Sequence, residues 1–223
     1  MTTESTPMTR YPPSHGRPAR RALTVGAPIL AATVLALHPE NPLQIDGPWH
    51  PWYLVHYGIL LLTPLLGAAA YLAMVQVPGR LARTAQWALL PFLVFYPAWE
   101  ALAGVGTGRL VELTADMPTT GGATPQLVFD WFAWADGHWL AVAGIAPWLV
   151  FAIGGAIAHR RAGSGTAVVI GLAGAAAYPI LHGGLPAALP LLLLAFVGWV
   201  QTRPPTPAAA RHGAARRTSE AVR

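Results

Sequence analysis

The chain has 223 residues, of which 54% are hydrophobic and only 10% are charged, and its formal net charge at pH 7 is +5. A soluble domain carries about 25% charged residues, so this composition, with a mean hydropathy of +0.44, predicts an all-α integral membrane protein rather than a soluble one. The chain contains no cysteine, which excludes disulfides and thiolate metal sites.

The two ends of the chain differ in composition from the middle. Residues 1–21 are polar and contain four arginines and several prolines, which is typical of a disordered segment. Residues 202–223 are again rich in proline, alanine and arginine. We therefore expect one transmembrane domain over residues 22–201, between two disordered basic tails.

Six apolar runs fill the transmembrane domain, and they have about the length of 20 residues that a helix needs to cross a bilayer. They cover residues 22–37, 51–76, 82–105, 137–158, 166–183 and 185–201. The first run follows Arg20 and Arg21 and ends in a sequence that resembles a cleavage site, so it fits either a signal peptide or a retained helix. Pro28 and the five runs downstream favour a retained helix.

The segment between the third and fourth runs contains two further features. The glycines of GVGTGRL, residues 104–110, are expected to end the third helix, and RLVELTADM, residues 109–117, to form a short interfacial helix. In that helix Arg109 and Glu112 are spaced i, i+3 and can pair. A helical approach from Gln126 precedes the fourth run.

The arginines predict the orientation of the bundle. If six spans place both termini in the cytoplasm, 13 of the 14 basic residues lie on the cytoplasmic side and only Arg109 lies outside, as the positive-inside rule requires. All of the basic residues are arginine, and alanine, glycine and proline are abundant, which indicates a bacterial protein of the cytoplasmic membrane. The basic tails are expected to contact anionic lipid headgroups, so no nucleic-acid partner is needed to explain the charge.

Acids and histidines have the opposite bias, because seven of nine acids and five of eight histidines fall in outer loops or outer helix ends. His56 lies about 7 Å inside the second run and Glu100 about 7 Å from the end of the third, at 1.5 Å per residue. Successive antiparallel helices are usually neighbours, so we predict that His56 and Glu100 meet. Ionisable groups inside a span are costly and usually have a partner and a function, although a structural hydrogen bond explains the pair equally well.

The candidate polar site is the outer cluster of His56, Glu100, His50, His138, His182 and Asp136. Some of its members also have simple structural explanations. His50 precedes Pro51 at a helix start, Asp136 is placed to cap the fourth run, and His182 precedes two glycines that typically end a helix.

Three functions fit this cluster. The first is a membrane protein in which the cluster forms a small binding site. The second is a metal- or haem-binding enzyme or redox protein, with His56, Glu100 and His138 as metal candidates, or with His56 and either His138 or His182 as haem ligands. The metal prediction has little support, because the chain contains no HxxxH, HExxH or ExxH spacing. The third is a proton-coupled transporter in which the His56–Glu100 pair titrates.

Overall fold

A computed structural model describes residues 17–39, 50–114, 123–181 and 184–203. These residues are almost entirely helical, and no β-strand occurs among them. The helices are α1 (Pro18–Ala36), α2 (Pro51–Met74), α3 (Arg80–Thr114), α4 (Ala123–Asp136), α5 (Trp139–Arg161), α6 (Thr166–Ala175) and α7 (Gly184–Thr202). Helices α1, α2, α3, α5 and α7 are each long and apolar enough to cross a membrane, which is the pattern of a multi-pass integral membrane protein.

The predicted tails lie mostly outside the described residues. Arg17–Arg21, which composition assigned to the N-terminal tail, form a helical turn that continues into the first apolar run. Residues 1–16 and 204–223 are not described.

Six of the helices form a closed ring. Helix α2 packs between α1 and α3, α3 packs against α5, α5 against α6, α6 against α7, and α7 returns to α1. Helix α4 is not a member of the ring but packs against the C-terminal part of α3 and against Trp52 and Tyr53 of α2. The largest buried side chains point into the ring and include Phe92, Trp148, Phe151, Leu172 and Leu191.

Close backbone approach holds the most extensive contact of the ring, between α3 and α5. A Cβ atom at Gly144 of α5 would lie 2.8 Å from the Cα atom of Tyr96 in α3. Helices in a membrane associate through van der Waals packing and interhelical hydrogen bonds, which favour small residues at the contact. Gly144 therefore sets the distance at which the aromatic side chains of the ring meet.

Helix α6 is shorter than the predicted fifth span because of Pro179. A proline has no N–H group, so the carbonyl of Ala175 cannot accept its usual hydrogen bond from residue 179. Trp148 of α5 donates its indole N–H to the Ala175 carbonyl instead, at 2.8 Å. The chain continues to Leu181 in tighter turns with bonds such as Tyr178 N–H to Ala175 O. The α-helix spans about 15 Å, and the turns after it continue the segment to Leu181.

The prediction that the glycines after Val105 end the third helix is wrong. Helix α3 passes through a π-helical segment, Ala101–Gly106, and continues as α-helix to Thr114. The predicted interfacial helix is therefore the end of α3, and in it Arg109 Nη1 pairs with Glu112 Oε2 at 2.9 Å, as its spacing predicts. Trp52 of α2 hydrogen-bonds to the carbonyl of Gly104, and this contact stabilises the helix across the glycines.

Candidate functional site

His56 and Glu100 meet inside the ring. Nδ1 of His56 in α2 lies 2.9 Å from Oε2 of Glu100 in α3, and each residue is only 3% exposed. The contact predicted from their equal depth is present. When Glu100 is ionised its oxygens only accept hydrogen bonds, so Nδ1–H of His56 is the donor.

The π-helical segment of α3 shapes the space for this pair. It begins directly after Glu100, and a Cβ atom at Gly104 would overlap the ring of His56. Trp52, one turn before His56 in α2, donates its indole N–H to the Gly104 carbonyl at 2.7 Å. π-helical turns within α-helices are frequent at functional sites. Gly104 therefore lies in the π-helical segment, and its lack of a side chain leaves room for the imidazole of His56.

Aromatic rings enclose the pair on the side of α1. The ring of His38, which follows α1, lies 5.0 Å from the His56 ring and 5.2 Å from the Trp52 ring, measured between centroids. The centroids of Trp52 and His56 are 4.8 Å apart. The sequence analysis did not include His38 in the candidate site. Only the packing of α1 against α2 brings it there.

Two tyrosines complete the site. Tyr96, one turn before Glu100, and Tyr178, after α6, have ring centroids 5.6 Å apart, and both interact electrostatically with Glu100. The sequence analysis missed both. The i−4 spacing of Tyr96 from Glu100 was an available signal, whereas nothing in the sequence connected Tyr178 to this position. We call the group of His38, Trp52, His56, Tyr96, Glu100 and Tyr178 the His56 cluster.

A small cavity adjoins the His56 cluster. It has a volume of about 10 Å³ and is lined by His38, His56, Tyr96, Glu100 and Tyr178 together with three aliphatic side chains. A cavity needs about 10–15 Å³ to hold one water molecule, so this one has the size of a single water.

The second nitrogen of His56 is one of the buried side-chain atoms of the cluster without a hydrogen bond among the described residues. Nε2 is buried and has no hydrogen-bond partner among the described residues. Most buried polar side-chain atoms have at least one partner, and leaving one unsatisfied costs about 1–3 kcal/mol. In neutral His56, with the hydrogen on Nδ1, this nitrogen is an acceptor held inside the bundle.

The remaining predicted site residues lie elsewhere or are not described. His50 caps α2, where its Nδ1 accepts from Trp52 N–H at 3.2 Å, so its role as a helix start is confirmed. His138 caps α5 in the same way, accepting from Leu140 N–H at 3.3 Å. The assignment of that cap to Asp136 is wrong, because Asp136 is the exposed last residue of α4. His182 lies outside the described residues.

A second polar cluster, which the sequence analysis did not predict, lies at the other end of α2. His159 near the end of α5 is 5% exposed, and its Nε2 lies 3.0 Å from the carbonyl oxygen of Ala73. Its Nδ1 lies 2.8 Å from Oγ of Ser164, and Gln201 of α7 also donates to Ala73 O at 3.0 Å. We call these four residues the His159 cluster. The position of His159 in the last turn of a helix was the available signal, since a histidine side chain there can reach carbonyl groups near the helix end.

Neither predicted cofactor has a complete site in the part of the chain that the structure describes. Within it, no group of three or more His, Asp or Glu side chains is placed to hold a metal ion. A cavity of about 10 Å³ beside His56 is far too small for a haem, and His138 is not among the residues that line it.

Comparison with known proteins adds no relative. No protein-family model matches the chain, and no curated protein or solved structure is significantly similar to it. The basis for a functional proposal is therefore the membrane-type helical bundle and the chemistry of the His56 cluster.

Proposed function

We propose that this multi-pass membrane protein crosses a bacterial cytoplasmic membrane six times and has both termini in the cytoplasm. Five helices have the length and composition of spans, and the segment from α6 to Leu181 has about the reach of a sixth, at 1.5–2.0 Å per residue. The arginine distribution supports the orientation, with 13 of 14 on one side. In this arrangement the basic tails lie beside anionic headgroups.

The first apolar run is a retained span in this proposal. Ala31, Ala32 and Leu35 of α1 are buried in the core, and α1 closes the ring between α2 and α7. A cleaved signal peptide would leave that gap open. Reporter fusions after Gln201 and within residues 115–122 should report cytoplasmic and external locations respectively, whereas an external C-terminus would overturn the orientation.

Within this bundle the His56–Glu100 pair forms a small site that binds and releases a proton. The observation that carries this proposal is the buried Nε2 of His56, which has no partner among the described residues while Nδ1 is held at 2.9 Å by Glu100. A neutral imidazole in this position offers one lone pair to a donor. The adjoining cavity has the size of one water, so the ligand that fits is a proton or a water that delivers one.

Proton binding changes the net charge of the His56–Glu100 pair. With Nε2 unprotonated, neutral His56 and ionised Glu100 carry one negative charge inside the bundle, which is expensive in a medium of low dielectric constant. A proton on Nε2 converts the pair into a hydrogen-bonded ion pair with no net charge. Proton exchange would therefore change the electrostatic energy of the contact between α2 and α3. Ionisable residues within spans serve this role in proton relays.

The test is a pH titration followed by nitrogen NMR on purified protein with isotope-labelled histidine. Among the resonances of the eight histidines, one titrating pair should disappear in His56→Gln and is thereby assigned to His56. In Glu100→Gln, which retains a hydrogen-bonding side chain of the same shape, the same resonance should titrate at a different pH. His159→Gln is the matched control, because it also removes a buried histidine, and it should leave the signal unchanged.

A metal ion bound to Nε2 of His56, with its further ligands supplied from outside the described residues, is the second candidate, because metal-ligating histidines commonly donate their other N–H to a carboxylate, as His56 does to Glu100. Metal analysis of the purified protein separates the two candidates. Stoichiometric metal that is lost in His56→Gln would replace proton binding with metal binding, and the NMR titration of Nε2 would then be absent until the metal is removed.

A further inference from the structure

A groove on the exterior surface of the helix ring, which faces away from the ring interior, is separate from both polar clusters. It lies between α2 and α3, has a volume of about 600 Å³, and has Leu23 of α1 at its edge. This is within the range of about 300–1,000 Å³ that is usual for small-molecule sites. Ala68 of α2 lines the groove, and its short side chain leaves space that a larger side chain would fill.

The groove has one polar end. Arg83 and Gln86 line it near the start of α3, and Trp87 and leucines line it farther along. Residues 83, 86 and 87 share one face of the helix, at spacings of three and four. Arg83 is exposed, and among the described residues it forms no ion pair. The groove thus presents an uncompensated positive charge at one end and hydrocarbon along its length.

The length of the groove matches one leaflet of a bilayer. Its α3 side runs from Arg83 to Leu93, which is about 15 Å at 1.5 Å per residue. The hydrocarbon core of a bilayer is about 30 Å thick. Since Arg83 lies in the first turn of α3, at the end of the apolar segment, its guanidinium is placed at the level of the headgroups.

We propose that this groove binds one anionic phospholipid. Its phosphate is held by Arg83 and Gln86, and one acyl chain lies along the groove over Ala68. A guanidinium donates paired hydrogen bonds to phosphate oxygens, and basic pockets between transmembrane helices are known to select anionic headgroups. In the proposed orientation this lipid belongs to the cytoplasmic leaflet. The site depends on membrane location and not on proton binding at His56, so either proposal can fail without the other.

The test is native mass spectrometry of the full chain in detergent, titrated with phosphatidylglycerol or with phosphatidylcholine of the same acyl chains. The wild type should retain one phosphatidylglycerol in preference to phosphatidylcholine. Arg83→Gln should lower the affinity for phosphatidylglycerol about tenfold, which corresponds to the loss of one charge-assisted hydrogen bond. The control Arg80→Gln makes the same change of charge one turn earlier, at an exposed residue that does not line the groove, and should bind as the wild type does.

Filling the groove tests the acyl-chain part of the proposal. Ala68→Phe should weaken binding of phosphatidylglycerol, and Ala68→Leu should do so less, with thermal unfolding confirming that both variants fold. Leu61→Phe is the control, because Leu61 is 77% exposed on α2 and lies outside the groove. Equal losses in Arg83→Gln and Arg80→Gln, equal binding of the two lipids by the wild type, or unchanged binding in both Ala68 variants would each overturn the proposal.

Discussion

Two buried histidines, His56 on α2 and His159 on α5, lie near opposite ends of α2 and differ in how many of their ring nitrogens have hydrogen-bond partners. His56 and Ala73, which contacts His159, are separated by about 25 Å along the helix at 1.5 Å per residue. In the His159 cluster both ring nitrogens have partners, Ser164 Oγ at 2.8 Å and Ala73 O at 3.0 Å. In the His56 cluster only Nδ1 is bonded, to Glu100, and Nε2 has no partner among the described residues.

This difference separates a structural histidine from a candidate functional one. With its hydrogen on Nε2, neutral His159 donates to a backbone carbonyl and accepts from a serine hydroxyl, so both ring nitrogens are satisfied without a second proton. His56 can take a proton without losing its bond to Glu100. Burial alone does not distinguish the two residues, since both are at most 5% exposed.

The largest expected effect comes from breaking the His56–Glu100 pair on one side. His56→Leu removes the imidazole partner of a buried carboxylate, so we expect the free energy of unfolding in mixed micelles to fall by about 3–5 kcal/mol. The double variant His56→Leu/Glu100→Leu should recover most of this loss, because apolar replacement of both partners is often neutral. If the loss in the double variant equalled the sum of the losses in His56→Leu and Glu100→Leu, the two residues would not act as a pair.

A smaller loss is expected when the space for the His56 ring is filled. Gly104→Ala forces the imidazole or the π-helical segment to move, and overpacking of this kind costs about 1–3 kcal/mol. Gly26→Ala is the matched control, because Gly26 ends a second π-helical segment, Ala22–Gly26 in α1, and a Cβ atom there meets nothing within 4 Å. It should be neutral or should stabilise the helix by about 0.5–1 kcal/mol. Equal thermal stability of the two variants would contradict the close contact at Gly104.

Removing the histidine of the other cluster should affect stability but not proton binding. His159→Leu loses two hydrogen bonds, at a cost of about 1–2 kcal/mol in the free energy of unfolding. The Ala73 carbonyl keeps its bond from Gln201, which limits the loss. The NMR titration assigned to His56 should be identical to that of the wild type. A change in that titration would mean that the two clusters are coupled across the bundle.

The smallest expected effect comes from Ser164→Ala, which removes the partner of Nδ1 in His159. Because this end of the bundle is partly exposed, water can replace the hydroxyl, and the cost should be about 0.5–1 kcal/mol. Thermal unfolding measures the loss. If this variant lost as much stability as His159→Leu, the Ser164 bond and not the Ala73 bond would account for the His159 cluster.

The His56 cluster could be predicted only in part. The meeting of His56 with Glu100 follows from their equal depth on successive helices, which is simple arithmetic along the chain. Tyr178 could not be predicted, because it reaches the cluster from a segment that is not adjacent to α2 or α3 in sequence. The helix end expected over the glycines of residues 104–110 was wrong because each glycine lowers helix stability by only about 1 kcal/mol. The packing of Trp52 and His56 against this segment outweighs that preference.

The sequence by itself determined the membrane-type composition of the protein, the approximate position of each long helix and the meeting of His56 with Glu100. These depend on the length and composition of single segments, which are local properties of the chain. Only the tertiary structure decided which face of each helix is buried, the closure of α1 on α7, and which histidine nitrogens have partners. Spans that are apolar on every side have no pattern that marks their buried face, so those features depend on contacts between helices that are distant in sequence.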